Sequence, residues 1–201
     1  MDTKSKQYHH GDLRTAMIEK GFYIINTDGV KSLTLRRVAK ECGVSHSAPY
    51  SHFANKDELF QAITAHITAQ FANVLKSAVS NDEKETPEGL IKIGCAYVMF
   101  FAHNPEYFKF IFTNSKISVG VGHPYEPYDF FMGYTKKVFD NINYPQELRF
   151  KTVIEKWARI HGLAAIVIMN GRKEIPLWQK LVPEILSANN NLVTNGEIPN
   201  G

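Results

Sequence analysis

Ser45, His46, Ser47, Tyr50 and His52 bring five hydrogen-bonding side chains into eight residues, with Arg36 and Arg37 before them and Lys56 after. Serine and histidine can hydrogen-bond base edges or phosphate oxygens, and a tyrosine hydroxyl can reach a phosphate. Guanidinium and ammonium groups neutralise backbone charge. The chemistry within reach of this set is recognition of duplex nucleic acid.

Such side chains need elements that hold them outward. Thr34 reads as a helix N-cap, its hydroxyl accepting from an unpaired first-turn N–H. Leu35, Val38 and Ala39 recur at the spacing of one helix face, and Arg36 and Arg37 fall off it. Gly43 ends that helix, because glycine tolerates the left-handed conformation of a sharp stop. A second helix is expected at once, capped by Ser45 or Ser47, with Pro49 in its first turn. Val44 and Phe53 are its apolar anchors. Asn55 and Glu58 have the spacing of a capping box for the next helix, and Lys56 at its N-terminus suits a phosphate clamp. Two short helices and a tight turn predict a helix-turn-helix whose second member enters the major groove. An ordinary turn between two helices carries the same marks.

The stretches Asp28-Gly29-Val30, Leu33-Thr34-Leu35-Arg36-Arg37-Val38-Ala39, Cys42-Gly43-Val44-Ser45 and Tyr50 to Leu59 follow in order. With them, residues 8–60 resemble the N-terminal domain of TetR-family transcriptional regulators. Trp157…His161-Gly162 resembles the Trp…His-Gly signature of one C-terminal subgroup. The resemblance implies an all-α homodimer with a three-helix DNA-binding head and a variable, ligand-binding body. It implies DNA contacts from Thr34, Arg36, Arg37, Ser45, His46, Ser47, Tyr50, His52 and Lys56, with Tyr8, His10 and Arg14 near backbone phosphate. Family precedent favours repression. Pro49 departs from the pattern, since a small or β-branched residue is usual before the tyrosine, and this bears on the path of the recognition helix.

Charge is uneven in the same sense. Residues 1–56 hold nine Lys/Arg against five acids, whereas the remainder is nearly balanced. A basic excess confined to the head suits phosphate contact. Cys42 and Cys95 are the only cysteines, and without a signal peptide they predict a reducing cytoplasm and no disulfide. No apolar run approaches the ~18 residues of a membrane span.

Helical periodicity continues along the chain, so the expected fold is all-α, with a DNA-binding domain over 1–55 and a regulatory and dimerisation domain over 56–201. Leu13, Ala16, Met17, Gly21, Ile24 and Ile25 line a first helix, and Leu59, Ile63, Ile67 and Val74 a long one linking head to body. Asn81–Glu85 and Gly120–Pro127 read as loops. Thr86-Pro87, Asn104-Pro105, Tyr144-Pro145 and Ile175-Pro176 each open a helix, another runs from about 127 to 142, and the chain after 194 reads as a disordered tail.

The middle of the chain is rich in aromatic residues, which serve as core or line an apolar pocket. Tyr97, Phe100, Phe101, His103, Tyr107, Phe108, Phe131, Met132 and Trp157 are the candidates for a small-molecule effector site. The helix over 145–170 is apolar all round from Gly162 to Met169 and needs burial on every side. His161, Gly162, Ala165 and Ile166, with Trp178, Leu181 and Ile185 of the last helix, are therefore the expected dimer surface. The rival readings are a helical protein-binding adaptor and a small enzyme using His103, His123 or His161 with Cys95 or a nearby carboxylate. No metal spacing, nucleophile elbow or Gly-rich phosphate loop supports the enzyme, and no cofactor is expected.

Overall fold

The computed structural model describes residues 10–79, 85–114 and 125–188, and every regular element among them is helical. It divides into two compact units. One is the chain to Ile67 together with Phe110–Ser115, and the other is Thr68–Lys109 with the chain from Lys116 onward.

In the first unit, α1 (His10–Asp28) buries Met17, Gly21, Ile24 and Ile25. After a turn at Val30–Ser32 comes α2 (Leu35–Cys42), where the Thr34 hydroxyl accepts from Arg37 N at 3.1 Å. Gly43 ends α2 at φ +68°, a conformation in which any other residue would be strained. The long α3 (Lys56–Ser77) starts on a double cap: Asn55 Oδ1 accepts from Glu58 N at 2.9 Å, and the Glu58 carboxylate accepts from Ala54 N at 2.6 Å. The reciprocal bond falls one residue earlier than the capping box predicts.

Leu59, Ile63 and Ile67 of α3 are buried in the head, and Phe71, Ala72 and Leu75 further along are buried too. The buried stripe advances by four residues, so Val74, expected inside, is 38% exposed. The head also takes in a segment from far along the chain. Phe110–Asn114 forms a wide helical turn, and the Phe110 ring lies 5.7 Å from Phe22 and 5.4 Å from Phe60.

The second unit is organised on α4 (Pro87–His103). Thr86 caps it, accepting from Gly89 N at 3.1 Å, with Pro87 in the first turn. Short α5 (Pro105–Lys109) follows, then α6 (Glu126–Asn141), α7 (Gln146–Asn170) and α8 (Ile175–Ser187). α4 packs against α6, α7 and α8, so ten of its residues are buried. Gly94 permits this: a Cβ there would sit 2.9 Å from Leu186 Cδ1 and 3.2 Å from Ile160 Cδ1.

Among the described residues, no helix is long and apolar enough to cross a membrane. Tyr8, His123, most of the two loops expected near 81–85 and 120–127, and the tail lie outside the described residues.

Candidate nucleic-acid interface and effector site

The second helix of the motif takes a different form from the one expected. Residues 45–53 contain a single tight 3-10 turn, Ala48–Ser51, in place of an α-helix. Its bonds run from Ala48 N to Ser45 O at 3.1 Å, Tyr50 N to Ser47 O at 3.1 Å and His52 N to Pro49 O at 3.0 Å. Pro49 has no N–H to donate, and its ring is buried. Neither Ser45 nor Ser47 caps it; their hydroxyls bond each other at 3.1 Å.

This turn nevertheless turns its polar groups outward. Ser45, His46, Ser47 and Tyr50 are exposed, Tyr50 by 62%, and His52 is half-buried. Phe53 is 1% exposed and anchors the segment, with the Arg14 guanidinium 5.0 Å from its ring centroid. Arg36 is exposed as well. Three other expected contacts carry structural partners. Arg37 pairs with Asp28 across the α1–α2 corner, Lys56 Nζ donates to Val30 O at 3.2 Å, and the Thr34 oxygen holds the α2 cap. The two partners of these cations lie 9 and 26 residues away, beyond what periodicity reveals.

The second unit contains one continuous aromatic cluster. Phe71 lies 5.0 Å from Tyr97, 4.9 Å from Phe100 and 4.7 Å from Phe101, centroid to centroid. Phe108 meets Phe101 at 5.2 Å and Tyr107 meets Phe100 at 5.9 Å. Trp157 touches Tyr97, Tyr128 and Phe131 at 5.5, 5.4 and 5.6 Å. Two of the expected pocket residues stand apart from this cluster. His103 is exposed, its Nδ1–H donating to Met99 O at 2.7 Å within its own helix. Met132 lines a separate groove of about 440 Å³ between α6 and α7, with Phe139, Arg149, Phe150 and Val153.

His161, expected at the partner-facing surface, turns inward. Its Nδ1 shares a 2.9 Å hydrogen bond with the Tyr97 hydroxyl, and its ring stacks on Phe108 at 4.9 Å. The cause is register, since position 161 falls on the side of α7 that meets α4. Gly162 and Ile166 do face outward, Ala165, Trp178, Leu181 and Ile185 are half-buried, and Met169 is 86% exposed.

Burial lowers the His161 pKa from 6.5. The unfolded chain therefore takes up a proton below that value while the folded chain resists it, and stability should fall as pH drops through 6.5. We expect urea midpoints to decline between about pH 7.5 and about pH 5.5, and less so in His161→Gln. An equal decline in both proteins would remove His161 as the cause. Cys95 is half-buried, and burial pushes its thiol up, the opposite of what a nucleophile requires. Among the described residues no group of three or more His, Cys, Asp or Glu could hold a metal.

Comparison with known proteins agrees with this geometry. Residues 18–63 match the family model described as bacterial regulatory proteins, tetR family. Over 72 residues the chain is 36% identical to the HTH-type nicotine-responsive transcriptional repressor HdnoR of Paenarthrobacter nicotinovorans, covering 36% of this chain and 37% of that protein. The chain thus matches little more than a third of that relative's length. Among solved structures, a protein of unknown function from Rhodococcus sp. RHA1 superposes with a TM-score of 0.68 at 24% identity, over 92% of this chain and 95% of that one. A TetR-like transcriptional regulator from Rhodococcus sp. RHA1 does so with a TM-score of 0.61 at 13% identity, over 90% and 96%.

Proposed function

We propose, from the match of residues 18–63 to the family model of bacterial regulatory proteins, tetR family, that the chain is a DNA-binding transcriptional repressor of that type and not an enzyme, released from a palindromic operator by a small-molecule effector. Residues 1–55 would read the operator, and 56–201 would dimerise and bind the effector. The observation that carries this reading is the outward turn over 45–52, with Ser45, His46, Ser47 and Tyr50 exposed above a buried Pro49 and Phe53. Ser45, His46, Ser47 and His52 are its base-reading candidates. Tyr50, Arg36 and Arg14 are suited to phosphate, and Thr34, Arg37 and Lys56 hold the frame.

Two heads in one dimer would sit about one helical turn of DNA apart, which requires a palindrome. The outward apolar face of α7 supports the dimer, and the aromatic cluster supports the effector. Release needs a difference in effector affinity between two states, typically ~1–3 kcal/mol. α3, which is continuous from Lys56 to Ser77, is the element suited to transmit it.

Selection of bound sites from random duplex DNA by the ligand-free protein tests the proposal. Recovery of a palindrome is expected, with log K falling as log salt rises. A folded protein that enriches no sequence would overturn it. Tyr50→Ala should cost about 1–3 kcal/mol of DNA affinity, equally on selected and unrelated duplexes if the contact is to phosphate. Wild-type affinity in that variant would remove Tyr50 from the interface.

A further inference from the structure

Among the described residues two buried polar groups, the Tyr125 hydroxyl and Trp178 Nε1, lack a hydrogen-bond partner. Tyr125 is 2% exposed, and its hydroxyl is enclosed without any hydrogen-bond partner. A buried hydroxyl in that state is costly, and folded proteins keep few of them. Burial raises the pKa of Tyr97 in the aromatic cluster, and the Tyr125 hydroxyl lies close enough to raise it further. Tyr125 immediately precedes α6, and its carbonyl accepts from Tyr128 N at 2.9 Å, which sets Tyr125, Tyr128 and Phe131 at three-residue intervals along one side. Tyr128 and Phe131 both lie against Trp157, which meets Tyr97 in turn.

The cluster thus contains two buried tyrosine hydroxyls of unlike status. That of Tyr97 is engaged by His161, whereas that of Tyr125 is unengaged. The backbone N–H of Tyr125 is satisfied separately, by Asp129 Oδ2 at 3.2 Å, and the Asp129 side chain belongs to the exposed side of α6. Tyr128 and Trp157 are half-buried, so the cluster reaches the surface beside them.

We infer that the cluster takes an uncharged aromatic ligand bearing a hydrogen-bond acceptor, such as an aryl ketone, and that the Tyr125 hydroxyl donates to that acceptor. This deepens the effector reading above and rests on it. The surroundings favour a neutral guest: burial pushes both tyrosines up and His161 down, so each group is held in its uncharged form. A carbonyl oxygen there would meet an idle donor.

Three probes of one shape test this on the full chain. Acetophenone carries the acceptor, α-methylstyrene replaces its oxygen by a methylene, and benzoate adds a charge. Tryptophan fluorescence and thermal shift would report binding. Acetophenone is expected to bind about tenfold more tightly than α-methylstyrene, with benzoate weakest. In Tyr125→Phe that tenfold preference should vanish, without loss of thermal stability, because the removed hydroxyl has no partner. The wild-type comparison needs no variant and stands by itself. Equal binding of acetophenone and α-methylstyrene by the wild type, a preference surviving in Tyr125→Phe, tightest binding of benzoate, or no binding of any probe would each overturn the inference. Those results would leave the regulator reading intact if the selected palindrome is still bound. Conversely, the expected probe order with no release of that DNA would uphold the ligand class and remove acetophenone-type release.

Discussion

Phe71→Ala is expected to lower the unfolding free energy by about 3–5 kcal/mol, the range for truncating a fully buried phenylalanine. Phe71 is 0% exposed and three rings close on it, Tyr97 edge-on, Phe100 stacked and Phe101 tilted. Alanine would leave a void bounded by rings. Such rings are rigid and sit on α4, a helix held by three others, so the void could collapse little. Native stability is commonly only about 5–15 kcal/mol, so this one change should shift the urea midpoint of the tryptophan signal strongly. A loss under about 1 kcal/mol would show that the cluster is loosely packed, contrary to its geometry.

Ile166→Asp should have the largest effect on DNA binding of any change outside the head. Phe150, Ile154, Ile166, Met169 and Leu177 are 68%, 47%, 50%, 86% and 50% exposed, an unusual set of large apolar groups on neighbouring helices. Gly162 lies between Ile154 and Ile166 on α7, and a Cβ built there meets nothing within 4 Å, so a second helix could approach closely. In the proposed homodimer, a carboxylate at 166 would be buried unpaired at the contact. The variant should sediment as a monomer and lose about a hundredfold or more in operator affinity, because linked heads bind through effective concentration. Its protomer should keep its stability within about 0.5 kcal/mol, since Ile166 is half exposed in the single chain. A dimeric Ile166→Asp protein with unchanged operator affinity would move the dimer contact elsewhere.

What could be read from the residues alone was whatever depends on neighbours within one helical turn. The Thr34 cap, the Gly43 stop, the Asn55 start and the Thr86-Pro87 start all follow from backbone N–H groups that need a local acceptor or none. Several of the residues that behaved otherwise are governed from a distance. Arg37 and Lys56 read as free cations, because Asp28 and the Val30 carbonyl become neighbours only when the helices meet. His161 reads as surface because its partner, Tyr97, lies 64 residues earlier. Pro49 was visible as a departure, but the 3-10 turn that surrounds its buried ring was not. Tyr125 carried no sequence signal at all, since an unsatisfied hydroxyl is defined by what fails to surround it.

The discontinuity of the head has a consequence for exchanging modules. The unit built on α1 to early α3 is completed by Phe110–Ser115, with Phe110 itself 1% exposed between Phe22 and Phe60. A chimera that joins residues 1–67 to a foreign sensor would carry two of these three rings and lose the third. Swapping sensors in this protein is therefore a transplant with two sutures, and a donor body must bring its own plug for the socket that Phe22 and Phe60 leave open.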